Sequence, residues 1–534
     1  MGLHKRVLIA NRGEIAIRIA KAAKALGMES VAVHASIDAQ SLHTCMTTHV
    51  RPLSQDGVAA YLDGAAMIHV AKQMDCDCIH PGYGFLSENA SFAEMCAAEG
   101  IVFVGPPASA LTVFGNKVMA RSLAQSCNIP VVPGSPATLS SVAEAQEFGE
   151  IVGYPVMLKA AAGGGGRGMR AVASAEDFGE ALERCRSEAM AAFGDDDVFM
   201  EKLIQRPRHI EVQILADAMG EAIHLYERDC SVQIHNQKVV EIAPAAGLED
   251  TLRQNMHDDA IKLVKAANYV NAGTVEFLVS PEEGTYHFIE CNPRIQVEHT
   301  VTEQVMGIDL VATQFQIAGG ASLENLSLAN QTDIAAPRGY AIQARIVAQG
   351  VGVITGYKEP SGSGVRVDAC GYLGYAPPAQ FDPLLAKLIC TSQIGSSLTD
   401  AVARTLGALD EFQIGGLPTN LAQIRAILEQ AEVCRGDART SFMVEHPDIS
   451  VMAAQTPSGD TVGFLEKQGT KLRGSGSGKA SVSLESPLPP LELSDSASGV
   501  ECPMAGSVVK IALAERARVK AGETVLVISA MKME

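Results

Sequence analysis

Residues 290–299 place a charged or amide side chain at every second position and read Glu290-Cys291-Asn292-Pro293-Arg294-Ile295-Gln296-Val297-Glu298-His299. Because successive side chains of an extended chain point to opposite faces, the acids, amides and arginine are predicted to share one face. Such a face suits Mg²⁺ and an oxyanion together. A half-buried strand with a salt-bridged outer face is the alternative, and the proline favours an edge strand or a site loop.

Two other predicted strands carry polar side chains of the same kind. Strand 208–214 aligns His209 and Glu211 on one face, and Glu276 lies in an otherwise apolar strand. A buried carboxylate is costly unless it is paired or bound to a metal. Glu276 and Glu290 are therefore a candidate Mg²⁺ pair, with ion pairs to lysine or arginine as the alternative.

A glycine run separates predicted strands at 154–159 and 171–172 and reads Gly163-Gly164-Gly165-Gly166-Arg167-Gly168. Its backbone N–H groups are free of side chains and suit contact with phosphates. The run is neither a Walker A loop nor a Rossmann turn, because no helix follows and Gly-Lys-Ser/Thr is absent. An ordinary surface loop is the alternative, and the neighbouring Lys159 favours phosphate binding.

The first hundred residues predict a parallel α/β sheet. Residues 7–10 and 31–33 are apolar runs, and residues 15–26 between them have helical periodicity. This β-α-β pattern continues to Gly/Pro clusters at 81–84 and 105–106, where strands of such sheets end and ligands bind. The pattern is typical of a Rossmann-like domain.

Length and composition narrow the possible functions. A chain of 534 residues with 47% hydrophobic residues predicts three or four domains with large cores. A net charge of -19 disfavours nucleic acid, and no apolar run reaches membrane-spanning length. The 12 cysteines are scattered and the N-terminus lacks the pattern of a leader, which predicts a reduced, cytoplasmic protein.

The C-terminal part changes character. Gly/Ser-rich and Pro-rich stretches at 474–478 and 487–490 predict a linker with a span of about 40 Å. Short predicted strands at 503–509 and 522–527 follow, and the chain ends Ala530-Met531-Lys532-Met533-Glu534. A single lysine between methionines, after a long linker, suggests a modified lysine on a mobile domain.

These motifs resemble a known family when taken in order. Residues 1–446 resemble biotin carboxylase, an ATP-grasp ligase, and residues from about 500 resemble the biotin carboxyl carrier domain. The motifs are Ala10-Asn11-Arg12-Gly13-Glu14-Ile15-Ala16, His80-Pro81-Gly82-Tyr83-Gly84, the glycine run, Glu227-Arg228-Asp229-Cys230-Ser231, Arg294 to His299 and Ala530-Met531-Lys532-Met533.

The resemblance implies an α/β fold with five parts. These are a Rossmann-like N-terminal domain (1–114), an ATP-grasp domain (115–330), a mixed α/β C-terminal domain (331–446), a linker (447–499) and the first half of an all-β biotinyl domain (500–534). Because the family carrier continues well beyond its lysine, the chain is expected to be part of a longer polypeptide.

The resemblance also assigns roles to residues. The ATP-binding set is Lys117, Lys159, Gly163, Gly164, Gly165, Gly166, Glu201, Leu203, His209, Gln233, Asn236 and Leu278. Mg²⁺, with Mn²⁺ as a substitute, is expected on Glu276, Glu290 and Asn292. Bicarbonate is expected on Arg294, Gln296, Val297 and Glu298. Glu298 is the implied general base, Arg345 the implied stabiliser of the biotin enolate, Lys238 and Arg294 further catalytic residues, and Lys532 the biotinylated lysine.

The implied activity is the ATP- and bicarbonate-dependent carboxylation of biotin through carboxyphosphate. The implied partners are bicarbonate, a carboxyltransferase domain or subunit, biotin protein ligase and a second copy of the chain, without nucleic acid or membrane. For the final acceptor, an acyl-CoA carboxylase of fatty acid metabolism is expected, of the long single-chain bacterial kind, because the linker has no room for the extra domain of propionyl-CoA-type subunits. Pyruvate and urea carboxylases are alternatives.

Two departures from the family pattern keep other hypotheses open. Ile234-His235-Asn236 replaces two arginines and a histidine, and Ile346 to Gly350 lacks the usual acidic pair. A non-catalytic carrier or assembly subunit with a decayed ATP site is therefore one rival. Another bicarbonate-using ATP-grasp ligase, such as a carbamoyl-phosphate synthetase, is the other, and Lys532 in its carrier-like context argues against it.

Overall fold

The structure is a computed structural model that describes residues 4–135, 138–161, 168–450, Met452, Gly463, 507–511 and 525–529. The N-terminal region contains strands β1 (Arg6–Ile9), β2 (Glu29–His34), β3 (His49–Pro52), β4 (Cys78–His80) and β5 (Val102–Phe103). They form a parallel sheet in the order β3-β2-β1-β4-β5. This order is that of a doubly wound, Rossmann-like sheet, as the sequence predicts.

Seven helices lie in this part of the described chain: α1 (Gly13–Ala25), α2 (Leu42–Cys45), α3 (Gly57–Leu62), α4 (Gly64–Gln73), α5 (Ala90–Ala98), α6 (Ala108–Gly115) and α7 (Lys117–Ser126). The loop after β4 approaches the start of α1 closely. Gly82 has φ +66°, and a Cβ there would lie 2.9 Å from the Asn11 side-chain nitrogen. Asn11 donates to the carbonyls of Pro81 and Tyr83. Gly82 thus lets the two N-terminal motifs lock together.

A small antiparallel sheet follows and has its own core. Its strands are β6 (Val156–Ala160), β7 (Met169–Val172) and β8 (Val198–Lys202), in the order β7-β6-β8, with helices α8 (Val142–Val152) and α9 (Phe178–Phe193). Val156, Leu158 and Phe178 are buried between sheet and helices. The glycine run 163–166, predicted to contact phosphates, lies outside the described residues.

The centre of the molecule is an eight-stranded antiparallel sheet in the order β13-β12-β9-β10-β11-β14-β17-β16. Its strands are β9 (Arg208–Ala216), β10 (Ala222–Ile234), β11 (Gln237–Ala243), β12 (Asn271–Ser280), β13 (Thr285–Asn292), β14 (Ala341–Val347), β16 (Val365–Ala369) and β17 (Leu384–Thr391); β15 (Gly356–Lys358) pairs separately with β18 (Gln413–Gly415). The pairing of β11 with β14 carries the sheet across residue 330, the predicted domain boundary.

Helices cover this sheet and close the C-terminal region: α10 (Asp250–Ala266), α11 (His299–Met306), α12 (Leu310–Ala318), α13 (Leu398–Glu411), α14 (Leu421–Leu428), α15 (Ala431–Arg435), α16 (Phe442–Glu445) and α17 (Pro447–Ser450). Ile342, Leu388 and Phe412 lie in the core between sheet and helices. The last described strands, β19 (Ser507–Ile511) and β20 (Leu526–Ser529), form an antiparallel pair where the sequence predicts carrier strands. Lys532 and residues 451, 453–462 and 464–499 of the predicted linker lie outside the described residues.

One prediction about local structure is wrong. The extended segment expected from residue 290 to residue 298 ends at Asn292, and a loop leads from Pro293 into α11. Proline has no N–H to continue the ladder, so the strand stops there. Strand alternation therefore does not orient Arg294, Gln296 and Glu298.

Candidate active site

A row of carboxylates crosses three neighbouring strands of the large sheet. Glu211 on β9 lies opposite Glu276 on β12, and Glu276 lies opposite Glu290 on β13. Glu211 and Glu276 are buried. Like charges directly opposite each other destabilise a sheet, so this row requires cations among its members.

Lys238 supplies one of these cations. Its Nζ donates to Glu211, to Oε1 of Glu276 at 2.9 Å and to Oε1 of Glu298 at 2.7 Å. Burial opposes the charged ammonium, but the three glutamates outweigh it and raise the lysine pKa well above its usual range. One permanently charged nitrogen thus joins the carboxylate row to Glu298.

Glu298 lies between two cations at the start of α11. Its second oxygen, Oε2, accepts a hydrogen bond from Nη2 of Arg345 at 3.0 Å. Burial raises the pKa of Glu298, but Lys238 and Arg345 together lower it below its usual value. The carboxylate is therefore ionised at neutral pH and able to accept a proton.

Arg345 is held in place by a second carboxylate. Its Nε donates to Oε1 of Glu241 at 2.5 Å, and Glu241 on β11 is fully buried. Burial raises the pKa of Glu241, and Arg345 opposes this shift. Arg345 thus presents a fixed guanidinium beside Glu298, where negative charge on a substrate is stabilised.

The residues assigned to Mg²⁺ fit a hard divalent cation by their donor chemistry. Glu276 and Glu290 are opposed in register, and Asn292 adds an amide that donates to Oε1 of Glu276 at 2.9 Å. Lys117 pairs with Glu290, and burial, which raises the pKa of Glu290, is outweighed so that this pKa falls to about 2. Two ionised carboxylates and a side-chain carbonyl are ligands that Mg²⁺ prefers.

His209 links Glu276 to other residues that are predicted to bind ATP. Its Nε2 is 2.7 Å from Oε2 of Glu276, and its Nδ1 is 2.8 Å from Nε2 of Gln233. Burial lowers the pKa of His209, but Glu276 outweighs it and raises that pKa. Leu278 lies opposite His209 in the sheet. His209, Gln233 and Leu278, which are all predicted to bind ATP, therefore lie together.

Three further predicted ATP-binding residues, Lys159, Glu201 and Leu203, lie at the small sheet. Lys159 donates to Oε2 of Glu201 at 2.5 Å, Arg121 donates to Oε1 of the same glutamate at 3.0 Å, and Leu203 follows directly after β8. Lys159 acts electrostatically on Glu290, which connects the small sheet to the carboxylate row. Lys159 is thus a cation of the small sheet near the carboxylate row, where the triphosphate is expected.

The residues predicted to bind bicarbonate lie in the loop after β13. Gln296 donates to Oε1 of Glu276 at 2.7 Å, and Arg294 donates to Oδ1 of Asn292 at 3.0 Å and to Glu88 at 2.6 Å. The Val297 carbonyl accepts from Lys387 at 3.1 Å. The loop therefore joins the side chains expected around Mg²⁺ to those expected around bicarbonate.

Asn236, which is also predicted to bind ATP, lies in a turn between two strands. It lies exposed at the tip of the β10–β11 hairpin with φ 60°, after His235 with φ 49°. Two consecutive left-handed residues define a tight hairpin turn, for which asparagine is among the best residues. The departure at this position suits the turn itself.

Comparison with known proteins identifies the family. Residues 3–111 match the biotin carboxylase N-terminal domain, residues 116–326 the carbamoyl-phosphate synthase L chain ATP-binding domain, and residues 343–445 the biotin carboxylase C-terminal domain. The biotin carboxylase domain of Hydrogenobacter thermophilus 2-oxoglutarate carboxylase is 38% identical, with a TM-score of 0.81 over 85% of this chain and 100% of that one. This chain belongs to the biotin carboxylase family.

Two other relatives are a domain of a larger carboxylase and a whole carboxylase. The biotin carboxylase domain of a single-chain bacterial carboxylase is 43% identical, with a TM-score of 0.75 over 83% of this chain and 98% of that one. Pyruvate carboxylase of Pichia angusta is 45% identical over 460 residues, which are 84% of this chain and 39% of that protein. The chain thus spans about two fifths of the length of this curated relative.

Family membership confirms the class of enzyme, an ATP-grasp ligase of the biotin-dependent carboxylases. It also separates the chain from carbamoyl-phosphate synthetases, because the flanking domain matches are specific to biotin carboxylase. The related structure from H. thermophilus contains MgADP and bicarbonate and is a domain dimer. Among the described residues of this biotin carboxylase, no helix has the length and apolar character of a membrane span.

The sequence interpretation missed several residues around the site of this biotin carboxylase. Glu241 is a buried acid in an apolar strand, the same signal that identified Glu276. Glu88, which pairs with Arg294, follows the His80 to Gly84 motif and has no role assigned by the sequence analysis. Arg121 follows Lys117 by one helical turn, so helical periodicity predicts both side chains on one face of the helix. Arg121 pairs with Glu201.

Proposed function

We propose that this chain catalyses the carboxylation of biotin with bicarbonate and ATP, the first half-reaction of a biotin-dependent carboxylase. The observation that carries the proposal is the ammonium of Lys238 between Glu276 and Glu298, with Arg345 on the far side of Glu298. Lys238 thus connects Glu276, at the edge expected to bind phosphate, to Glu298, the ionised base.

The residues of the site suit each stage of the reaction. Glu298 accepts the proton of bicarbonate, whose oxygen then attacks the γ-phosphorus while ADP leaves, which forms carboxyphosphate. Lys238, Lys117 and Lys159 stabilise the charge on the phosphoryl oxygens during transfer. Bound Mg²⁺ would neutralise phosphate charge at Glu276 and Glu290.

The second stage uses the other side of Glu298. Carboxyphosphate breaks down to CO₂ and phosphate, the released phosphate takes the proton of the ureido nitrogen of biotin, and that nitrogen attacks CO₂. Arg345 is positioned to stabilise the enolate form of biotin, because its guanidinium is fixed by Glu241 and Glu298. Glycines 163–166 are proposed to cover the phosphates and exclude water from the labile intermediate.

The test of this function is ADP release by the purified chain with free biotin. We expect release that depends on bicarbonate, on Mg²⁺ and on biotin. ADP release that is identical with and without bicarbonate would refute the proposal. Complete absence of ATP turnover would favour a carrier or assembly subunit with a decayed ATP site, the hypothesis raised by Ile234 and Asn236.

We further propose that the complete protein carboxylates a 2-oxo acid, with pyruvate as the first candidate. The relatives support this choice over the acyl-CoA acceptor inferred from linker length, because P. angusta and Staphylococcus aureus proteins named pyruvate carboxylase are each 45% identical. The named 2-oxoglutarate carboxylase uses a similar domain. Product formation by the full-length protein with pyruvate, 2-oxoglutarate, acetyl-CoA, propionyl-CoA and urea decides between the acceptors.

The carrier role and self-association are part of the same proposal. We propose that biotin protein ligase attaches biotin to Lys532 and that the biotin carboxylase region forms a dimer, as the H. thermophilus domain does. Peptide mass spectrometry after incubation with a biotin ligase tests the first point, and labelling at another lysine would refute it. Sedimentation velocity tests the second, and a monomer at micromolar concentration would refute it.

A further inference from the structure

Arg228 is a fully buried arginine on β10 that lies behind the carboxylate row. We propose that Arg228 is a positioning residue for bicarbonate, which fixes the amide of Gln296 directly and the ammonium of Lys238 through Glu211. This inference rests on the proposed function, because it assigns a role within the same half-reaction.

Every N–H of the Arg228 guanidinium has an acceptor. A guanidinium carries five N–H donors in a rigid plane. Here Nε donates to Glu211 at 2.5 Å, Nη1 to Gln213 at 2.7 Å and Thr302 at 2.9 Å, and Nη2 to Thr274 at 3.1 Å and Gln296 at 2.7 Å. Because no donor is left over, the guanidinium has one orientation, and its acceptors are fixed with it.

Gln296 receives its direction from this arrangement. Its carbonyl Oε1 accepts from Arg228 and its Nε2 donates to Oε1 of Glu276 at 2.7 Å. Rotating the amide by half a turn would place its N–H groups against a guanidinium and its oxygen against a carboxylate. Both contacts would be repulsive, so Arg228 and Glu276 together determine which amide group faces the site.

The link to Lys238 runs through Glu211. One oxygen of Glu211 accepts from Arg228 and the other accepts from Lys238. Burial raises the pKa of Glu211, but Lys238 and Arg228 outweigh it and lower that pKa. The carboxylate therefore stays ionised between two cations, and the position of each cation depends on the other.

The same sheet provides a matched control. Arg208 on β9 is also buried, and it pairs with Asp229 at 2.7 Å and with the Ala246 carbonyl at 2.8 Å. Neither partner belongs to the proposed site. If a buried arginine served only to stabilise this sheet, lysine at position 208 and lysine at position 228 would have similar consequences for substrate binding.

The first experiment compares Arg228→Lys with Arg208→Lys in the full chain, with ADP release in the presence of free biotin as the assay. Lysine keeps the charge but offers its donors from one point, so it cannot hold Glu211 and Gln296 together. We expect Arg228→Lys to raise the KM for bicarbonate by between about tenfold and a hundredfold. The KM for ATP should change less than about twofold, and Arg208→Lys should leave both KM values within about twofold of wild type.

The second experiment asks whether Arg228 acts through Gln296. In a Gln296→Ala background, Arg228→Lys should raise the KM for bicarbonate by a factor at least about threefold smaller than in the wild-type background, because the amide that it orients is gone and only the route through Glu211 to Lys238 remains. Thr302→Val removes one acceptor of Arg228 with little change in volume and should raise the same KM by about threefold in the wild-type background. Thr302→Val serves as the test if Arg228→Lys does not yield folded protein.

The outcomes separate the two proposals. Wild-type protein without bicarbonate-dependent ADP release would refute the proposed function. Active wild-type protein, with an unchanged bicarbonate KM in Arg228→Lys or, where that variant does not fold, in Thr302→Val, would refute the positioning role alone. Equal effects of Arg228→Lys in the presence and absence of Gln296 would refute the direct action of Arg228 on Gln296.

Discussion

The two ends of the site hold their cations in different ways. At the nucleotide end, Lys117 pairs with Glu290, and Lys159 pairs with Glu201. At the bicarbonate end, Lys238 is shared by three glutamates. In the first arrangement each lysine has one carboxylate partner, although Arg121 shares Glu201, and in the second a single lysine connects three carboxylates.

Exposure accompanies this difference. The side chains of Lys117 and Glu290 are 15% and 25% exposed, whereas those of Glu211 and Glu298 are 0% and 3% exposed. A partly exposed pair contributes little to stability and is readily exchanged for other partners, such as phosphate and Mg²⁺. A buried network resists rearrangement, because a carboxylate left without its cation is expensive. The Lys117–Glu290 pair is thus suited to exchange and the Lys238 network to fixed geometry.

The largest expected effect concerns the base at the fixed end. Glu298→Gln keeps the side-chain shape but removes the proton acceptor. We expect bicarbonate-dependent ADP release to fall by about two to four decades while nucleotide binding persists. Steady-state kinetics and nucleotide titration measure the two quantities. Near-normal turnover would remove Glu298 from the mechanism and with it the functional meaning of the network.

A stability measurement tests the comparison between the two ends directly. Lys238→Met should lower the free energy of unfolding by about 3–5 kcal/mol, because it leaves buried glutamates without their common cation. Lys117→Met should lower it by about 1 kcal/mol or less, because the carboxylate of Glu290 can hydrate. Denaturant titrations of both variants give these values. Equal losses would show that the two ends do not differ as described.

The dependence of activity on Mg²⁺ tests the role of Glu290 at the more exposed end of the site. Glu290→Gln removes one of the two proposed carboxylate ligands, so the Mg²⁺ concentration for half-maximal activity should rise at least about tenfold, or turnover should be lost. A titration of activity against Mg²⁺ checks this expectation. Glu99→Gln, at an exposed ion pair with Lys72, is the control. A Glu290→Gln titration that overlays wild type would exclude Glu290 as a ligand.

The smallest expected effect concerns the hairpin tip. Asn236→His restores the residue type of the family at an exposed position with φ 60°. We expect the apparent ATP affinity to change by no more than about a decade, near 1.4 kcal/mol. The KM for ATP is the measurement. Activity that appears only after the substitution would instead support the decayed-site hypothesis.

Sequence reasoning reached those parts of the fold that depend on local pattern. The parallel N-terminal sheet follows from short apolar runs and helical periodicity, and Glu276 stands out as an acid in an apolar strand. Two features depend on contacts between distant segments and carry no local signal. The carboxylate row depends on the register between β9, β12 and β13, and the loop after Pro293 takes its direction from Glu276 and Lys238 rather than from strand alternation.

The buried ammonium of Lys387 has a consequence for the order in which the protein folds during its synthesis. Its Nζ lies 2.9 Å from Glu14 in α1 and donates to the Val297 carbonyl in the bicarbonate loop. The three groups come from the beginning, the middle and the later part of the described chain. A ribosome must therefore translate past residue 387 before the loop can acquire its final support. The N-terminal sheet can form early in synthesis, but the reactive centre is completed only among the last steps of folding.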